Sequence, residues 1–109
     1  MAIIQQYHSP DGLLKFVVER LENDDIFLGF EGFPWHTHAD ILANVIGLSE
    51  EKAVRIFIEE LVESRAIIAI ARVGGKIHDV WITDNPHPDK YRPDDETIEF
   101  RYWDGRTLI

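Results

Sequence analysis

Two runs rich in β-branched residues, Ile67-Ile68-Ala69-Ile70-Ala71-Arg72 and Ile77-His78-Asp79-Val80-Trp81-Ile82, stand on either side of Val73-Gly74-Gly75-Lys76. Nothing else in the 109 residues restricts the fold as tightly. Gly-Gly in that setting specifies a two-residue hairpin turn, because both central residues need positive φ. Such a turn sets a register in which Ala69 falls opposite Val80 and Ile67 opposite Ile82. One face of the hairpin is then Ile67, Ala69, Ala71, Val80 and Ile82, and its alanines give a helix room to approach closely.

Upstream, the pattern predicts three helices. Ser9-Pro10-Asp11 reads as a helix start, with serine as cap, proline at the first helical position and aspartate at the positive end. Leu13, Leu14, Val17, Val18 and Leu21 follow at the spacing of one buried helical face. A short apolar strand, residues 26–30, comes next. A second helix is expected from Thr37, with Thr37 and Asp40 as a weak capping box and Gly47 as its stop. Ile41, Leu42, Val45 and Ile46 give it an apolar side. Ser49-Glu50-Glu51-Lys52 opens a third helix, on which Ala53, Val54, Phe57, Ile58 and Leu61 cluster opposite Lys52, Arg55, Glu59 and Glu63. Residues 84–95, rich in proline and aspartate, read as a surface loop. Residues 97–103 alternate as a strand, and Asp104-Gly105 signals a second hairpin turn.

The chain is expected to form a single α+β domain over residues 1–109. The order helix, strand, helix, helix, strand, Gly-Gly turn, strand over residues 10–83 resembles the winged-helix variant of helix-turn-helix domains. The resemblance rests on that order and on the stretch Ala39-Asp40-Ile41-Leu42-Ala43 to Gly47-Leu48-Ser49. It implies three helices plus a small antiparallel sheet; residues 84–109 are no standard part of that fold and are expected to form a loop and C-terminal β-hairpin extension beside the wing.

Composition narrows function more than it names it. Without cysteine there is no disulfide framework, cysteine zinc site or thiol catalysis. At 45% hydrophobic and 28% charged residues, the chain matches ordinary globular domains and not disordered ones. No apolar run approaches the ~18 residues of a membrane span. The first six residues lack a basic, signal-like start, so a cytoplasmic location is expected. The balance of 11 basic against 20 acidic residues, net −9, disfavours nucleic acid and anionic membranes and favours a basic protein partner. Nothing fixes an oligomeric state.

Three functions are weighed on these residues. The first is a non-enzymatic, acidic protein-interaction module, such as an inhibitor or immunity-type protein that neutralises a basic toxin. Trp81, Asp84, Arg101, Trp103 and Asp104 are its expected partner-binding residues, because aromatics beside Asp and Arg are typical hot-spot chemistry. The second follows from the resemblance: a winged-helix DNA-binding transcriptional regulator, reading DNA through Lys52 and Arg55 of the third helix and Arg72 and Lys76 of the wing. The carboxylates Glu51, Glu59 and Glu63 on that helix oppose it. The third is a metal-dependent enzyme centred on His36 and His38 with Asp40, since two imidazoles and a carboxylate are plausible ligand types. No third strong ligand is fixed by spacing, and no serine elbow or phosphate loop accompanies the pair. No catalytic residue, cofactor or metal is therefore expected.

Overall fold

A computed structural model describes residues 2–86 and 95–108. The chain opens with four antiparallel strands: β1 (Ala2–His8), β2 (Lys15–Arg20), β3 (Ile26–Phe30) and β4 (His36–His38), neighbours in that order. Helices α1 (Ala39–Ile46) and α2 (Glu50–Val62) follow. A second antiparallel sheet comprises β5 (Ile67–Val73), β6 (Lys76–Thr83) and β7 (Glu96–Arg101), with β5 in the middle. One core joins everything: Phe16, Val18, Leu28 and Phe30 from the first sheet, Leu42 of α1, Ala53, Ile58 and Leu61 of α2, Ile68, Ile70 and Val80 from the second sheet, and Trp103. Phe16 stands edge-on to Phe30 with ring centroids 5.0 Å apart, an arrangement aromatic quadrupoles favour.

The expected first helix is a β-hairpin. Pro10-Asp11-Gly12 is turn chemistry: Gly12 sits at φ 74° and its amide donates to the Ser9 carbonyl at 2.9 Å. The Ser9 hydroxyl accepts the Leu14 amide and donates to Asp11 Oδ1, so the supposed helix caps close a strand turn. Beyond it, Phe16, Val17 and Val18 are all buried, so β2, paired along both edges, is also buried on both faces. A strand buried on both sides loses its alternation, and its apolar residues then coincide with helical spacing. With two helices and seven strands among the described residues, the winged-helix architecture does not hold.

The second helix also starts later than expected. Thr37 lies in β4, the N-cap is His38 with no side-chain cap bond, and Asp40 accepts only the amide of Ile41. By contrast, Ser49 caps α2 as expected, accepting the Lys52 amide.

The Gly74-Gly75 turn is present, with φ 58° and 82°, and Val73 pairs with Lys76. One residue beyond the turn's immediate neighbours the register departs from expectation. Ala71 pairs with Asp79 while Arg72 pairs with Ile77, so β6 bulges by one residue at His78. Ile68 then faces Ile82, Ile70 faces Val80, and these enter the core. A one-residue slip exchanges faces, so Ala69 and Ala71 lie on the opposite side, Ala69 between Trp81 and Phe100. The alanines make room for cross-strand aromatics and not for a helix.

The C-terminal segment is a third strand with a turn. Strand β7 pairs along the free edge of β5, and the Tyr102-to-Gly105 turn, Gly105 at φ 93°, closes through a single bridge between Arg101 and Thr107. Residues 87–94 of the expected surface loop lie outside the described residues.

Candidate functional site

The most unusual surface is α1. Its apolar residues divide between the core and solvent: Ala39 and Leu42 are buried, whereas Ile41 and Val45 are 51% and 79% exposed. Ile41 and Val45 are four residues apart, on one face, and Ile46 and Leu48 add exposed aliphatic surface at the C-terminal end. Gly47, at φ 80°, ends the helix by donating its amide to the Ala43 carbonyl. No charged residue falls between Asp40 and Glu50. An adjoining groove of about 660 Å³ is walled by Ile41 and Val45 on one side and by Trp35, Phe57, Ile67 and Ile82 on others. Arg65 and Asp84 supply its charges. The Arg65 guanidinium is already committed to Glu60 and Glu63, at 3.2 and 2.6 Å, which raise its pKa. Exposed Asp84 remains as the groove's available carboxylate.

Ile41, Val45 and Ile46 belong to the apolar side expected of the second helix, yet they face solvent. The signal to the contrary is width: Ile41, Leu42, Ala43, Val45 and Ile46 spread over more than half of the helix circumference, leaving only the Asp40 and Asn44 side polar, and so broad an apolar face needs cover on more than one side. Here the fold covers only one.

The expected partner-binding residues are dispersed. Asp84 joins the groove beside α1. Trp81 is half-buried on the outer face of the second sheet, beside Ala69. Arg101 and Trp103 are buried at 3% and 4% exposure, so they do not present a docking surface. The Arg101 guanidinium donates to Asp11 Oδ2 at 2.7 Å and to the carbonyls of Tyr102 and Trp103. This clamp ties the first hairpin turn to the end of β7, 90 residues away. The Arg101 hydrogen bond, with a second from the Ser9 hydroxyl, holds the Asp11 carboxyl well below the usual carboxylate range. Asp104 is exposed; the Arg106 amide and guanidinium hold its carboxyl below the ordinary range.

His36 and His38 project from the same face of β4, rings 5.0 Å apart and perpendicular. Phe27 stacks on His36 at 4.8 Å, and the space for its ring comes from Gly29, where a Cβ would lie 3.1 Å from it. The His36 Nδ1–H donates to the Pro34 carbonyl, and His38 Nδ1 lies 2.6 Å from Asp25 Oδ2 without the alignment of a hydrogen bond. Asp40 is not part of this cluster. Among the described residues no group of three or more His, Asp or Glu side chains is arranged to hold a metal.

The expected DNA-contacting residues are divided as well. Lys52 and Arg55 are exposed on α2 beside Glu51 and Glu59, Arg72 is paired with Glu99 at 2.7 Å, and Lys76 lies at the hairpin turn. No helix of the described chain is long and apolar enough to cross a membrane. Set against known proteins, the chain matches no family model, no curated protein and no solved structure.

Proposed function

We propose that this chain is a non-enzymatic protein-binding module that seats a basic protein on the α1 ridge. The observation that carries the reading is the exposure of Ile41, Val45, Ile46 and Leu48 from one eight-residue helix and its terminating turn. Scattered exposed aliphatics are ordinary, whereas a contiguous apolar ridge beside an apolar groove is the anatomy of an interface core. Charge selects the partner. The ridge is itself uncharged, but Asp40 precedes it, Glu50 and Glu51 follow it, and Asp84 lies in its groove. With a net charge of −9 behind them, these carboxylates steer a basic protein toward the ridge and repel an acidic one. Neutralising such a partner, as an inhibitor or immunity-type protein does, fits this arrangement.

The test starts with a photo-crosslinking residue at position 45 in the producing cell, identification of the captured protein, and calorimetric titration of the purified pair. The captured protein is expected to be basic, and binding is expected to weaken as salt rises. Val45→Asp is expected to weaken it by about 30-fold or more, as loss of an interface hot spot does. Capture of a second copy of this chain alone, or an affinity unchanged in Val45→Asp, overturns the reading.

A further inference from the structure

A second concavity lies elsewhere, between the inner face of the first sheet and α2. It has a volume of about 550 Å³ and shares no lining residue with the groove beside α1. Its floor is Val18, Ala39 and Ile58, all buried, with half-buried Ile26 and Val54 as walls. Strand alternation explains the floor: Phe16, Val18 and Arg20 share a face of β2, and their partners Phe30, Leu28 and Ile26 share it on β3. The row that begins in the core with Phe16 thus ends at the cleft with an arginine. Arg55 reaches the same cleft from α2.

Arginine pairing across the molecule sets these two apart. Six arginines fall in the described residues, and four are held by carboxylates: Arg65 by Glu60 and Glu63, Arg72 by Glu99, Arg101 by Asp11 and Arg106 by Asp104. Arg20 and Arg55 make no ion pair with any described residue, in a chain with nearly twice as many acids as bases. Both line this cleft. Glu50 and Glu51 also line it, and Glu51 stands four residues before Arg55 on the same helix face without pairing with it.

We propose that this cleft binds a small amphipathic monocarboxylate, its chain on Val18, Ile26, Val54 and Ile58 and its carboxylate between Arg20 and Arg55. A volume of this size is in the ordinary range for small-ligand sites, which are apolar with few polar groups that fix orientation. A guanidinium grips a carboxylate through two parallel N–H donors, which suits a flat monoanionic head. Glu50 and Glu51 limit the charge. They balance the two arginines, so the cleft has no surplus positive charge to offset a phosphate dianion, whereas a monoanion needs only one guanidinium fork.

The probe is octanoate, titrated into the 109-residue chain by calorimetry and followed by amide chemical-shift changes. Octanoate is expected to bind with a submillimolar Kd and to shift amides of β2 and the first half of α2. Butyrate, octan-1-ol and octyl phosphate are each expected to bind at least about tenfold more weakly. Arg20→Gln and Arg55→Gln should each weaken octanoate binding about tenfold without moving the urea midpoint, since both side chains are exposed. Equal affinity for octanol, unchanged affinity in both arginine variants, shifts confined to the α1 groove, or no binding at millimolar octanoate would each overturn the proposal. None of these outcomes involves the protein partner, so this site and the α1 ridge fail or stand separately.

Discussion

Helix α2 begins with the Ser49 hydroxyl accepting the Lys52 amide and with Glu50 and Glu51 in its positive first turn. It runs 13 residues and buries Ala53, Ile58 and Leu61 while showing charge to solvent. Three residues upstream, α1 lacks both the cap and the length. Its cap position is a histidine without a capping bond, it runs eight residues, and the valine at position 45 is 79% exposed. An isolated helix that short is unstable in water, so tertiary contacts through Ala39 and Leu42 hold it. The lesson is one of allocation. Helix α2 uses its apolar residues inward and its capping chemistry to start cleanly; α1 leaves half of its apolar residues outside, where folding gains little from them.

That contrast ranks the expected effects of substitution. Leu61→Ala should be the most damaging, because a fully buried leucine removed from a shared core costs about 2–5 kcal/mol including the cavity. Urea unfolding measures it directly, and a cost below that of any α1 surface substitution would erase the distinction between the helices.

Next comes the clamp outside both helices. Asp11→Asn should cost about 1–3 kcal/mol at neutral pH, toward the lower end because the Asp11 side chain is 40% exposed and Arg101 keeps two carbonyl acceptors. Its pH dependence has a definite sign. The carboxyl is held below its ordinary range when folded, so its contribution is complete above the unfolded-state pKa of about 3.9 and fades as pH falls through the folded value. The stability gap between wild type and Asp11→Asn should therefore narrow from about pH 5 downward. A gap that stays constant to pH 2 would mean that Asp11 is not ionised against Arg101.

Ser49→Ala should cost about 1 kcal/mol, the usual value of a lost N-cap. Thermal melts resolve a change of that size, and a silent substitution would show that α2 does not depend on its cap. Smallest of all, Val45→Lys should change stability by less than about 0.5 kcal/mol, as exposed substitutions do. A larger loss would place Val45 in the fold's own packing and remove the ridge as a surplus surface.

The parts legible in the sequence are those whose signal is local. Ser49 with two glutamates, and Gly74-Gly75 between β-branched runs, each specify their structure within a few residues, and both form as read. The first hairpin is hidden because Leu14, Val17 and Val18 satisfy a helical stripe, while what makes this segment a strand, pairing along both edges with β1 and β3, involves residues outside it. The hairpin register was hidden by one extra residue at His78, which no turn rule encodes, and that residue decides whether Ala69 or Ile70 enters the core. Site residues followed the same division. Asp84 lies in the groove by the ridge, but Arg101 and Trp103, despite their hot-spot composition, are interior groups that serve a clamp. Arg20 and Arg55 differ from the other described arginines only in lacking a carboxylate partner, a property of the folded surface that no local pattern encodes.

The most direct test of the contrast between the two helices is native-state amide hydrogen exchange on the unmodified chain. Cooperative units exchange through openings that range from nearly zero free energy to that of global unfolding. Amides of α2 around Ile58 to Leu61 should open only with the whole domain, at the free energy given by urea unfolding. The hydrogen-bonded amides of α1 from Ala43 to Gly47 should open in a separate, smaller event, at least about 2 kcal/mol below it. Equal opening free energies in the two helices would contradict the account, because α1 would then be part of the folding core and not a lightly held ridge turned toward a partner.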